Sequence, residues 1–141
     1  MSGKTYQLEI FSDPNLLPEV EEFLENISKE INLEKSRINN LLLSVNEAIS
    51  NAMLHGNKSD INKKVKITVN INQTKLSISI KDEGKGFDPE KIPDPTSPEN
   101  IFKESGRGLY IMRTCIDDMH YIFHPDGTEL ILVTRINKEQ S

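Results

Sequence analysis

Apolar residues recur along this chain with two different periods. Tyr6, Leu8 and Ile10 alternate with polar neighbours, the period-two pattern of a half-buried strand. Ser12-Asp13-Pro14-Asn15 reads as a turn. A helix then begins near Leu16–Pro18, where proline suits the first turn. Val20, Phe23, Leu24, Ile27 and Ile31 give that helix an apolar stripe, and Asn32 or Leu33 ends it. A second helix starts close to Glu34–Ser36 and carries the stretch from Asn39 to Gly56, NNLLLSVNEAISNAMLHG. At about 100° per residue, Ile38, Leu41, Leu42, Val45, Ile49, Ala52 and Met53 share one broad face. Asn40, Ser44, Glu47, Asn51 and His55 share the opposite one.

After Gly56 a polar loop is expected from Asn57 to Lys63. Period two then returns, in Val65, Ile67, Val69 and Ile71 and again in Leu76, Ile78 and Ile80. Asn72-Gln73-Thr74 between them has hairpin length. Each strand has one apolar face, so helices should cover one side of the sheet. Two helices followed by antiparallel strands predict an α+β fold: a two-layer sandwich with a mixed, mostly antiparallel sheet and helices on one face. A segment from Asp88 to Ser105 holds Pro89, Pro93, Pro95 and Pro98 and reads as a mobile lid. Gly106 to Arg113 reads as a glycine turn opening a helix whose apolar residues are Leu109, Met112 and Ile116. Strands at Tyr121–Phe123 and Leu130–Ile136 close the chain around a turn at Pro125-Asp126-Gly127.

Composition narrows the function classes. The 141 residues suit one domain with a core of its own. The net charge is −5 and Lys and Arg are scattered, so no footprint for nucleic acid is present. No apolar run reaches membrane-span length, and MSGKTYQLEIF lacks the apolar centre of a signal peptide. Cys115 is alone, which excludes an internal disulfide and fits a small apolar filler in a cytoplasmic protein.

Three segments carry chemistry. The polar stripe of the second helix is amide, carboxylate and imidazole rather than a Lys/Glu ladder. Glu47 and Asn51 stand i, i+4, about 5–6 Å apart on a helix. That spacing lets two hard oxygen ligands serve one Mg²⁺ or its water shell. Asp82-x-Gly84-x-Gly86 follows a strand, where glycines permit a sharp turn and the close approach of a planar ligand. A carboxylate there can accept from an exocyclic amine such as that of adenine. Gly106-x-Gly108 opens a helix, whose free N–H groups and positive dipole end suit an anion. Each of the two glycine segments is a weak signal alone; the order of all three is what informs.

In that order the segments resemble the N, G1 and G2 boxes of the GHKL (Bergerat) ATP-binding fold, shared by histidine kinases, gyrase, Hsp90 and MutL. The N box matches Asn46-Glu47-Ala48-Ile49-Ser50-Asn51-Ala52, with His55-Gly56 after it. The G1 box matches Asp82 to Gly86, and the G2 box Gly106-Arg107-Gly108-Leu109. Length, the E-A-x-x-N-A-x-x-H-G run and the short lid look most like the anti-sigma-factor serine kinases of the RsbW/SpoIIAB type.

The resemblance implies an ATP-dependent protein serine/threonine kinase that works in a partner-switching system. It implies a STAS-domain antagonist as phosphoacceptor, a sigma factor or similar regulator as the protein held inactive, and a homodimer. Glu47 would be the general base and Asn51 the Mg²⁺ ligand. Asp82 would contact adenine in a pocket shaped by Gly84 and Gly86. Gly106, Arg107, Gly108 and Leu109 would meet the phosphates, and Thr128 would lie near the adenine. His55 could sit near the site or simply pack; His120 and His124 read as structural. Kinases of this type often carry a basic residue just before the G2 glycines. Glu104-Ser105 stand there instead, with Lys103 and Arg107 the nearest cations. An ATP-gated binding module with little or no transfer is therefore the alternative. A histidine-kinase ATPase domain would need a dimerisation helix pair with a phosphoacceptor histidine, for which the sequence leaves no room.

Overall fold

The computed structural model describes residues 3–31, 33–84 and 116–136. Strand β1 (Lys4–Phe11) leads through a 3₁₀ turn at Pro14–Leu16 into helix α1 (Leu17–Ser28). Helix α2 (Lys35–Asn51) continues directly into a π-helical turn, Ala52–Gly56. Strands β2 (Lys64–Ile71), β3 (Lys75–Lys81), β4 (Asp118–His124) and β5 (Gly127–Arg135) follow. Among the described residues the strands form one sheet in the order β1-β2-β3-β5-β4, and every pairing is antiparallel.

Local chemistry explains the boundaries. The Asp13 side chain accepts from the Asn15 amide at 2.9 Å and caps the 3₁₀ turn, while Pro14 fills its first position. Asn72 Oδ1 accepts from the amides of Thr74 and Lys75 and closes the β2–β3 hairpin. At the end of α1, Glu30 takes hydrogen bonds from the Tyr6 hydroxyl and from Lys4, tying helix to edge strand.

The core lies between α1, α2 and one face of the sheet. Val20 from α1, Val45 and Ile49 from α2, and Val65, Ile67, Val69 and Ile78 from the strands are all 0% exposed. Ile116 joins this core from the residues just before β4. Ile78 stands on the central strand, opposite Val69 on one side and Leu132 on the other. Ile78→Ala should therefore leave a cavity that cannot collapse and cost about 2–5 kcal/mol. A shift in the urea midpoint at constant slope would measure it.

Two expectations change. Ser44 belongs to the buried side of α2, not to its polar stripe: it is 0% exposed, and its hydroxyl donates to the Asn40 carbonyl at 2.9 Å. A small side chain that satisfies its own hydroxyl on the preceding turn can be buried at little cost. The helix also widens into the π-turn after Asn51 instead of running as α-helix to Gly56. Among the described residues no helix is long and apolar enough to cross a membrane.

Candidate functional site

The site grows out of the alternation of β3. Leu76, Ile78 and Ile80 point into the core, and Asp82 continues that phase beyond the strand end. Its carboxylate is consequently carried inward and is only 4% exposed. A buried carboxylate needs hydrogen-bond partners. Oδ1 has two, the amides of Gly84 at 2.9 Å and Thr128 at 3.0 Å. Among the described residues no hydrogen bond reaches Oδ2.

Thr128 reaches the same place from β5. The Asp82 amide donates to the Thr128 carbonyl at 2.9 Å, so the two backbones are locked together. The Thr128 side chain is 4% exposed, and its hydroxyl oxygen is buried without a partner. Asn46 Oδ1 and Thr134 Oγ1 are also buried and unpartnered, so one such atom is weak evidence. Thr128 differs because its backbone amide is bonded to a carboxylate whose Oδ2 takes no hydrogen bond among the described residues. An acceptor beside a hydroxyl suits an aminopurine edge, which offers an exocyclic N–H₂ next to a ring nitrogen.

Close packing of backbone builds the rest of the site. A Cβ at Gly56 would overlap the Asp82 carboxylate, and one at Gly84 would overlap the Gly56 carbonyl. A Cβ at Gly127 would likewise meet the Asp82 carbonyl. Only glycine lets the end of α2, the end of β3 and the start of β5 approach this closely. Asn51 is the last residue of α2 before the π-turn, and Glu47 stands one turn earlier; both are half-buried. Asn46, next to Glu47, donates to Glu21 Oε1 at 2.9 Å and fixes α2 against α1. Single π-turns inside helices are frequent at functional sites.

The structure thus brings Asp82, Gly84 and Thr128 together beside the helix end that bears Asn51. Gly86, Gly106, Arg107, Gly108, Leu109, the segment 88–105 and Cys115 lie outside the described residues. His55 is exposed on the π-turn. His124 Nε2 lies 2.9 Å from Glu129 Oε1, and His120 Nδ1 lies 3.8 Å from Asp118 Oδ2. Burial works to raise the Glu129 carboxyl, but hydrogen bonds from Ser79 and His124 and the charges of His124 and Lys81 hold it below its usual range. Sequence reasoning missed Asn57, expected in a polar loop but fully buried, and the packing roles of Gly56 and Gly127. Periodicity holds no signal for residues that leave a helix and turn straight back under it.

A cavity of about 430 Å³ opens at this end of the sheet, lined by Asp82 and Gly84 of the site together with Lys64, Lys66, Lys81 and Asp126 among others. Of its cations, Lys81 pairs with Asp126 at 3.4 Å and Lys64 Nζ lies over the Phe11 ring.

If Asp82 accepts from adenine, Asp82→Ala should weaken ATP binding about tenfold or more, the worth of one hydrogen bond to a charged group. GTP, which offers no amine at that position, should lose little. Isothermal titration with both nucleotides would check it; equal losses would point to general collapse of the pocket.

Comparison with known proteins agrees with this geometry. Residues 10–134 match the family described as histidine kinase-like ATPase domain. The serine-protein kinase RsbW of Bacillus licheniformis is 30% identical over 124 residues, covering 83% of this chain and 76% of the relative. The serine-protein kinase RsbW of Listeria innocua is 24% identical over 123 residues, covering 83% and 78%. Among solved structures, the RsbU and RsbW domains of a Mycobacterium tuberculosis protein superpose with a TM-score of 0.69 at 16% identity. That match covers 94% of this chain, which spans about a third (32%) of the longer one, and it speaks to the fold.

Proposed function

The chain belongs to the histidine kinase-like ATPase domain family and, within it, to the serine-protein kinases named RsbW, and from that premise we propose that it phosphorylates a serine of a STAS-domain antagonist with ATP and holds a sigma factor or similar regulator inactive. One observation carries the nucleotide part of this reading. Asp82 is a buried carboxylate with one oxygen taking two backbone amides and the other taking no hydrogen bond among the described residues, beside a buried hydroxyl that has no partner. These are the groups that an adenine edge would complete.

The residues then divide the work. Asp82 and Thr128 orient the base, and the glycine packing at Gly56 and Gly84 fixes the floor beneath it. Asn51 offers a carboxamide oxygen, the hard donor type that Mg²⁺ accepts. Held there, Mg²⁺ would supply charge neutralisation at the phosphates. Glu47 stands on the same helix, one turn before Asn51. There it takes the proton of the partner's serine hydroxyl as that oxygen bonds to the γ-phosphorus and the bond to the β–γ bridging oxygen breaks, releasing ADP. Backbone amides at Gly106 and Gly108 receive the phosphates, flanked by Arg107 and Leu109. No nucleophile is required of this chain, because the hydroxyl belongs to the partner. We expect the protein to act in the cytoplasm as a homodimer.

The test is incubation with labelled ATP, Mg²⁺ and the STAS-domain proteins of the same genome, followed by phosphosite mapping. Label on one serine of one partner is the expected result. Glu104-Ser105, where a cation is usual, favours a second reading as an ATP-gated binding module. Tight ATP binding with no transfer to any STAS partner would select it.

A further inference from the structure

We propose that Asn57 is a positioning residue for the nucleotide site: from a buried position it fixes the strand end that carries Asp82, and so sets the preference for adenine over guanine. The inference rests on the reading of Asp82 as the adenine contact.

Asparagine is mostly an exposed residue, yet Asn57 is 0% exposed. Its burial is offset by partners on every side. Nδ2 donates to Ser12 Oγ at 2.7 Å and to the Lys64 carbonyl at 3.1 Å. Oδ1 accepts from the Glu83 amide at 2.7 Å. The Asn57 backbone amide donates to the Ala52 carbonyl at 2.8 Å. One residue thereby joins the residue after β1, the start of β2, the π-turn of α2 and the residue that follows Asp82.

The amide can sit only one way round. Turned over, its N–H₂ would face the Glu83 N–H and its oxygen would face the Lys64 carbonyl. Ser12 is committed too, since its hydroxyl proton goes to the Lys63 carbonyl at 2.8 Å, which leaves a lone pair for Asn57. The chain also adopts an uncommon backbone to place this side chain. Lys58 and Ser59, directly after it, have φ of 52° and 61°. Left-handed backbone at non-glycine residues persists where the surroundings over-determine it.

The consequence falls on Asp82. The amides of residues 82, 83 and 84 are each held: by the Thr128 carbonyl, by Asn57 Oδ1 and by Asp82 Oδ1. Of the three acceptors, only Asn57 reaches in from outside the β3–β5 pair and from outside the segment itself. Without it the strand end keeps its bonds to Thr128 and the tie from the Lys64 amide to the Glu83 carboxylate, but the backbone after Asp82 loses its anchor from the helix side and the carboxylate is held less firmly. A fixed acceptor discriminates an amine from a carbonyl because the wrong base leaves it buried and unpaired. A mobile acceptor loses that penalty.

The experiment measures Mg·ATP and Mg·GTP affinities of the full chain by titration, for wild type, Asn57→Ala and Ser12→Ala. It is run at a temperature where circular dichroism shows each variant folded. Asn57→Ala should lower the ATP-to-GTP affinity ratio about tenfold, the worth of one buried hydrogen bond to a charged group. Ser12→Ala keeps the bond to Glu83 but removes one anchor, and should lower the ratio by a smaller factor. Lower melting temperatures with an unchanged ratio in both variants would overturn the inference and leave Asn57 as a stabilising residue only. If Asn57→Ala does not fold, Ser12→Ala decides: a lowered ratio sustains the inference and an unchanged ratio overturns it. A wild-type chain indifferent to the two nucleotides would remove the Asp82 reading and this inference with it. A selective wild type with equally selective variants would remove this inference alone.

Discussion

Glu47→Gln is expected to lower phosphate transfer to the partner serine about 10²–10⁴-fold, the usual range for removal of a general base. ATP binding and the fold should survive. The amide is nearly isosteric, and the helix around it is pinned independently of the carboxylate. Asn46 is hydrogen-bonded to Glu21 across to α1, while Ala48 and Ile49 are buried in the core. The substitution therefore removes a proton acceptor while these contacts of the helix remain. The assay is phosphate incorporation into the cognate STAS protein, with ATP affinity and sigma-factor binding measured in parallel. Full transfer by the variant would remove the base role while leaving the kinase standing. Loss of both transfer and ATP binding would show that Glu47 serves the nucleotide instead.

The placement of Asp82 and Thr128 is legible in the sequence because both sit at positions that strand periodicity fixes. Asp82 is the clearest case. Its inward direction follows from Leu76, Ile78 and Ile80 by counting in twos, a signal the sequence carries beside the D-x-G-x-G context that singles Asp82 out. Thr128 and Leu130 do the same on β5. Ser44 shows the limit of the method. A hydroxyl reads as polar on a helical wheel, but a small side chain bonded to its own helix behaves as a spacer. Asn57 shows the other limit. Its side-chain partners lie on three segments, up to 45 residues from it along the chain, and the two residues that follow it are left-handed with no glycine to mark them. Gly56 and Gly127 looked like punctuation, whereas what makes them necessary is the proximity of Asp82. Tertiary encounters of this kind leave no trace in the spacing of apolar residues.

The other large effect is expected at Asn51. Asn51→Ala should weaken Mg·ATP binding by at least about tenfold, since even loss of a residue supporting a metal ligand commonly costs 10–100-fold. The position supports this expectation in two ways. Asn51 closes the α-helical part of α2, so its side chain leaves the helix where the chain turns toward Asp82 through the π-turn and Gly56. It is also half-buried, so the residue is partly withdrawn from water. Titration in Mg²⁺ and again in EDTA separates the metal from the base. With Mg²⁺ present the variant should bind ATP far more weakly than wild type. In EDTA the two should bind alike, because Asp82 and Thr128 are untouched and the lost oxygen has no ion to hold. A variant equally impaired in both conditions would mean that Asn51 supports the pocket itself. Unchanged Mg·ATP affinity would sink the metal assignment and require another oxygen, such as that of Glu47 on the preceding turn, to take its place.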